Sequence, residues 1–244
     1  MQHFFKRLYS GTAEQFYKEL KDKLQNQEKC FIVTANPEAF MFGKKDKEVE
    51  ALLLDPNTVV VADGIGIVKG AGIIGQDIKE RIPGIDIAQK LLKYGNELKK
   101  SIFLLGAKPE VIDALCNVIK NEYQNLEIKG AINGYTDDKD KAFEEIKALA
   151  PDIVLVALGI PSQEKLIYKH LSDFEKGIFV GVGGSFDVLS GTKKRAPKFF
   201  IKHNLEWLYR ITKEPSRIKR FYNSNVKFLL KIKKEKRTSG KNEN

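Results

Sequence analysis

Ile153-Val154-Leu155-Val156-Ala157-Leu158-Gly159-Ile160-Pro161-Ser162-Gln163-Glu164 is the stretch whose reading decides the fold. The apolar residues at its start run on without a polar alternation, so this strand is predicted to be buried on both faces. Gly159, Pro161 and Ser162 then close it with turn chemistry, and a helical pattern follows over Ser162–Leu171. The same sequence of apolar run, small-residue turn and helix recurs in both directions from this point. Further strands are predicted at Phe31–Ala35, Thr58–Ala62, Ser101–Leu105, Leu126–Ala131 and Ile178–Val182. Helices are predicted at Ile85–Lys100, Pro109–Tyr123 and Lys139–Leu149, and Thr12 with Gln15 reads as a capping box opening a helix through about Gln27. The alternation implies an α/β fold of Rossmann-like type, a largely parallel sheet covered by helices.

The 244 residues carry a net charge of +10, distributed unevenly. From Lys193 to Asn244 there are 17 Lys and Arg against 4 Asp and Glu, a net +13, whereas the residues before them sum to −3. The chain therefore divides into a nearly neutral α/β body, residues 1–194, and a basic helical C-terminal appendage, residues 195–244. Such asymmetry points to a polyanion: nucleic acid, anionic lipid or phosphates. Within the appendage, Ile218, Tyr222, Asn225, Leu229 and Ile232 are predicted to share one helical face, with Phe221 and Phe228 beside it and Arg217, Arg220, Lys227, Lys231 and Lys234 around it. A helix of this kind lies in a membrane interface, binds a partner or packs on the body. No run approaches the roughly 18 apolar residues of a spanning helix, and no signal peptide is read at the start, so a cytoplasmic location is expected. Cys30 and Cys116 are expected to be ordinary buried thiols.

Ligands of open parallel sheets bind beyond the carboxyl ends of the strands, and small and polar residues gather there. The first strand runs into Thr34, Asn36 and Pro37, the second into Asp63-Gly64-Ile65-Gly66, and the last into Gly183-Gly184-Ser185-Phe186-Asp187. Asp63 has two readings, a base for an attacking hydroxyl or an N-cap for the next helix; the glycines after it suit close approach of a ligand. Gly183 and Gly184 offer backbone N–H groups to a phosphate or form a simple strand–helix turn, and Asp187 suits a nucleobase N–H. Gly70-Ala71-Gly72-Ile73-Ile74-Gly75 matches a dinucleotide fingerprint in letters but does not start at a strand end; a glycine-rich helix packed close to the sheet is the better account. Asp138-Lys139-Asp140 resembles a metal-binding pair yet stands at a helix start, where acids favour the dipole. His3, His170 and His203 lack ligand spacing, so no metal and no cofactor are expected.

Taken in order, Thr34-Ala35-Asn36-Pro37-Glu38, Ala62-Asp63-Gly64-Ile65-Gly66, Glu80-Arg81-Ile82-Pro83-Gly84-Ile85-Asp86, Gly159-Ile160-Pro161-Ser162-Gln163-Glu164, Gly181-Val182-Gly183-Gly184-Ser185-Phe186-Asp187 and Leu205-Glu206-Trp207-Leu208-Tyr209-Arg210 resemble the WecG/TagA/CpsF glycosyltransferase family over about Thr12 to Arg220. Glu214-Pro215-Ser216-Arg217 with Arg220 looks like the family's arginine-bearing C-terminal segment. The resemblance implies inverting, metal-independent transfer of N-acetylmannosamine or a related sugar. The donor is a UDP-sugar and the acceptor a polyprenyl-diphosphate-linked N-acetylglucosamine. The nearest branch looks like the one that makes the linkage unit of wall teichoic acid. It further implies Asp63 as base, and Thr34 and Asn36 as groups positioning a sugar. Arg81, Gln163, Gly183, Gly184, Asp187, Arg210, Arg217 and Arg220 are implied on the donor side. The expected setting is the inner face of the cell membrane, held by the appendage on anionic lipid, with self-association permitted. A nucleotide-dependent oxidoreductase and a nucleic-acid-binding protein are the competing readings; few basic residues on the strand-end rim weigh against nucleic acid.

Overall fold

The computed structural model describes residues 1–239. Among these, β1 (Lys29–Ala35), β2 (Thr58–Ala62), β3 (Ser101–Gly106), β4 (Glu127–Ile132), β5 (Ile153–Ala157) and β6 (Gly177–Gly181) form one sheet in the order β2-β1-β6-β5-β3-β4. Every neighbouring pair is parallel, so the expected α/β architecture is the observed one. The unbroken apolar runs follow from burial on both faces. Ile153 and Leu155 join Ile32, Val61, Leu104 and Val180 on one face, under Leu91, Leu115 and Phe186. Val154 and Val156 join Phe31, Val33, Phe103 and Phe179 on the other. Successive side chains of a strand point to opposite faces, and here both faces meet helices. The edge strand β4 differs: its residues alternate between exposed and half-buried.

Local signals place the helix starts. The Thr12 hydroxyl accepts the Gln15 N–H at 3.2 Å and the Gln15 side chain accepts the Thr12 N–H at 2.9 Å, closing the capping box of the helix Ala13–Gln25. Asp138 caps the helix Lys139–Leu149 by accepting the Lys141 N–H, while Asp140 pairs with Lys169 and His170. Both acids of the metal-like triplet thus have structural partners. The helices Pro37–Gly43 and Lys47–Leu54 lie between β1 and β2, where the apolar periodicity is too short to declare them.

One expectation needs correction beyond residue 194. The periodicity reads one helix from Ser216 to Lys236, but the chain forms a helix over Arg217–Phe221, a wide π turn over Tyr222–Val226 and a second helix over Lys227–Ser239. The wide turn takes up more residues per revolution, so the apolar stripe divides. Ile218 and Tyr222 face solvent, whereas Phe228 and Ile232 are fully buried. Phe228 packs with Phe5 and Phe40, and Lys236 donates to the Ile73 carbonyl at 2.6 Å. The glycine-rich segment forms the helix Ile65–Ile74, whose Ile67 and Ala71 join Val60 and Ala62 of β2 in one buried cluster, so it packs against the sheet as expected. A Cβ at Gly70 would stand 2.9 Å from both the Phe228 and Phe5 rings, so this glycine also lets the C-terminal helix approach.

From β1 the chain steps outward to β2, crosses to β3 and β4, then returns through β5 and β6 to the centre. The carboxyl ends of β2, β1, β6 and β5 consequently stand side by side, and the loops leaving them enclose one crevice.

Candidate active site

That crevice has a volume of about 870 Å³, and all eleven residues singled out from the sequence line it. Thr34, Asn36, Asp63, Arg81, Gln163, Gly183, Gly184 and Asp187 come from the body, and Arg210, Arg217 and Arg220 from the C-terminal segment. The fold therefore unites residues up to 186 positions apart in sequence, from Thr34 to Arg220.

Asp63 follows β2 directly, and its N–H donates to the Ala35 carbonyl at 2.9 Å. The residue capping the next helix is Gly64, without a side-chain cap, so the N-cap reading of Asp63 does not hold. Its carboxyl is pushed up to about 6. Withdrawal from water is the dominant cause; Arg81, Arg210 and the Gly84 N–H act against it, and Glu206 adds to it. A carboxylate at this pKa is ionised at neutral pH and holds a proton better than an exposed one, which suits a general base. The glycines after it have close protein neighbours. A Cβ at Gly66 would stand 2.6 Å from Pro37 and 2.8 Å from the Asn225 oxygen, and one at Gly64 3.2 Å from Pro37. Both admit neighbouring protein, and Gly64 also lines the crevice.

The arginines are held by acids. Arg81 donates to Glu206 at 2.6 Å, and Glu206 also lies 3.6 Å from Arg195, which reaches Asp86 at 2.6 Å. Burial pushes the Glu206 carboxyl up, yet its bond from Arg81, together with the charges of Arg81, Arg195 and Arg210, holds it below the usual carboxylate range. Arg217 pairs with Glu214, and Arg220 lays its guanidinium along Glu38, with a shortest contact of 2.8 Å. Each guanidinium carries five N–H donors in a rigid fork, so a carboxylate can hold it while other donors face the crevice.

The remaining side chains have internal partners. Thr34 donates its hydroxyl to the Gly181 carbonyl at 3.0 Å. Asn36 caps the helix Pro37–Gly43 by accepting the Ala39 N–H at 3.0 Å. Gln163 accepts the N–H groups of Gly159 and Gly183, so the Gly183 N–H expected to be free for a phosphate is already engaged. Asp187 lies 3.4 Å from Lys193. Sequence reading passed over Glu38, Glu206 and Glu214, although all three stand inside the quoted motifs. Glu206 and Glu214 each stand a turn of helix before an arginine, but Glu38 has no arginine near it in sequence, and the Arg81–Glu206 and Arg220–Glu38 pairs form only when the chain folds. It also passed over Trp207, stacked on Phe221 with centroids 4.3 Å apart in the crevice wall.

A parallel sheet with an arginine-rich, acid-braced crevice at its carboxyl edge and one buried carboxyl of raised pKa has the layout of an enzyme's active site. The family described as glycosyl transferase WecG/TagA/CpsF matches residues 4–242. The chain belongs to this family and is a glycosyltransferase. It is 39% identical over 227 residues to a protein of Bacillus spizizenii, covering 93% of this chain and 88% of that one. It is 41% identical over 206 residues to one of Bacillus subtilis strain 168, covering 84% and 80%. It is 37% identical over 229 residues to one of Staphylococcus aureus strain MW2, covering 93% and 89%. All three are named N-acetylglucosaminyldiphosphoundecaprenol N-acetyl-beta-D-mannosaminyltransferase.

Proposed function

We propose that this chain transfers N-acetylmannosamine from UDP-N-acetylmannosamine to the 4-hydroxyl of polyprenyl-diphosphate-linked N-acetylglucosamine, with inversion and without a metal, in the synthesis of a wall teichoic acid linkage unit. The observation that carries the reading is Asp63, a carboxyl raised to about 6 in a crevice ringed by arginines. The names of the relatives supply the sugar and the acceptor. Asp63 takes the proton of the acceptor hydroxyl as its oxygen attacks the anomeric carbon. The bond to UDP breaks on the opposite face, and UDP leaves with the electron pair. UDP is a weak base and needs little protonation, so a single base serves. The charge gathering on the diphosphate is met by Arg81, Arg210, Arg217 and Arg220 and by the loop at Gly183–Gly184. Thr34 and Asn36 sit beside Asp63 in the crevice wall to orient a sugar, Gln163 bears on the donor through the loop it holds, and Asp187 suits the uracil N–H. Radiolabel passing from UDP-N-acetylmannosamine to a short-chain polyprenyl-diphosphate N-acetylglucosamine is the direct test; transfer from a different UDP-sugar alone overturns the donor.

Transfer is expected to survive a strong chelator. Among the described residues no three His, Cys, Asp or Glu side chains group to hold a metal, and the arginines offer the charge the leaving group needs. Activity lost in chelator and restored by manganese or magnesium overturns the metal-free mechanism.

No described helix is long and apolar enough to cross a membrane. The segment after residue 194 exposes Phe199, Ile218, Tyr222 and Leu230 beside Lys198, Lys202, Lys219 and Lys227. This supports the same segment docking on anionic lipid while its arginines complete the crevice. Each basic residue near such a surface contributes up to about 1 kcal/mol. Arg220→Glu places a carboxylate against Glu38 and is expected to lower transfer at least tenfold while vesicle binding changes little, because the other cations remain. A co-sedimentation assay run beside transfer checks this; equal losses in both assign Arg220 to docking alone.

A further inference from the structure

Glu164 is 3% exposed, and its Oε2 has no hydrogen-bond partner among the described residues. An idle buried carboxyl oxygen is costly, and the residue before it shows what that carboxyl is doing there. Gln163 Oε1 accepts the Gly159 N–H at 3.0 Å and the Gly183 N–H at 3.1 Å, tying the loop after β5 to the loop after β6. Two N–H donors converging on one end of a carboxamide require oxygen at that end, so the nitrogen points the other way. There it needs an acceptor, and Glu164 Oε1 receives the Nε2–H at 2.7 Å. The seat is cut to fit: a Cβ at Gly181 would stand 2.6 Å from Gln163 Nε2. The tied loop also holds Gly183 at φ +48°, in the left-handed region that favours glycine.

We propose that Glu164 is a positioning residue: by accepting the Gln163 amide hydrogen it locks the carboxamide that joins the two loops, and so sets the crevice wall against which the donor diphosphate rests. The inference rests on the reading of the Gly183–Gly184 loop as a diphosphate contact. Glu164 itself does not line the crevice. Burial pushes its carboxyl up to about 7, the Gln163 bond and its own backbone N–H acting against this and Glu38 adding to it. Either protonation state retains an acceptor oxygen toward Gln163, so the function asked of it is acceptance and not charge.

Two variants separate that role from a structural one. Glu164→Gln keeps an acceptor, whereas Glu164→Met removes it at similar length and also removes the orphan oxygen. Glu164→Met is expected to raise the KM for the UDP-sugar about tenfold or more, with a smaller change in kcat and no loss of Tm. Glu164→Gln is expected to restore KM to within about twofold of the parent. Amide hydrogen exchange without nucleotide should show Gly159 and Gly183 losing protection in the Met variant only. Gly181→Ala, which displaces Gln163, should reproduce the Met phenotype. Parental KM and protection in Glu164→Met overturn the proposal, and so does equal damage in the Gln variant, which assigns the role to charge. Adding UDP to the parent protein tests the underlying reading separately. Unmoved Gly183 and Gly184 amide resonances overturn the diphosphate half of the inference, while loosened Gly159 and Gly183 in the Met variant still support the lock.

Discussion

Asp63→Asn is expected to cut turnover by roughly 10²–10⁴ without unfolding the protein. Asparagine keeps the size and one oxygen of the carboxylate but cannot take the proton of an attacking hydroxyl. The parent kcat/KM is expected to fall as pH drops through about 6, where Asp63 takes up its proton, and the residual activity of the Asn variant should lack that limb. The stability consequence has the opposite sense to an ordinary salt-bridged acid. The folded-state pKa of Asp63 lies above that of the unfolded chain, so the folded form binds more protons between about pH 4 and pH 6. Its contribution to stability is present below that window and lost as pH rises through about 6. At neutral pH, removing the charge therefore relieves the fold, and Asp63→Asn should melt no lower than the parent. Calorimetry beside the transfer assay checks both halves. Near-parental turnover in a well-folded Asn variant would falsify the assignment of the base.

Phe228→Ala is expected to destabilise the fold by about 3–5 kcal/mol. Phe228 is fully buried between Phe5, Phe40 and Gly70, where glycine is the residue that lets the two helices approach. Deleting the chain after Lys194 removes this ring together with Ile232 and uncovers the apolar surface beneath them. A shortened chain is therefore expected to melt well below the parent or to aggregate. Point changes at exposed positions, such as Ile218 or Tyr222, are the cleaner probes of lipid docking. Urea unfolding of Phe228→Ala against the parent measures the cost, and a change under about 1 kcal/mol overturns the packing role.

The sheet was legible because its residues state their environment one by one. Ile153 to Ala157 contain no polar alternation, and a strand of that kind has nowhere to sit except between two layers of helix. The eleven candidate residues were found partly from strand-end position, as with Asp63, and partly from resemblance, as with Arg217 and Arg220. Glu206 and Glu38 stood in the same motifs and were passed over, because an acid in a sequence does not say which arginine it will meet. The glycines after Asp63 are legible as small residues, but only the fold shows that Pro37 and Asn225 stand against Gly66 while Gly64 lines the crevice.

Local chemistry, then, was sufficient for the six strands and the longer helices of the body, for the capping box at Thr12, for the helix start at Asp138 and for the basic character of the last fifth of the chain. These depend on periodicity, backbone preference and charge within a few residues of one another. Pairing and burial over long separations were decided only by the tertiary structure. It joined Arg81 to Glu206 and Arg220 to Glu38, turned Phe228 inward past the wide turn at Tyr222–Val226, and raised the Asp63 carboxyl to about 6. The physical reason is that desolvation and ion pairing depend on which atoms displace water around a group, and those atoms come from distant segments, 182 residues apart in the Glu38–Arg220 pair.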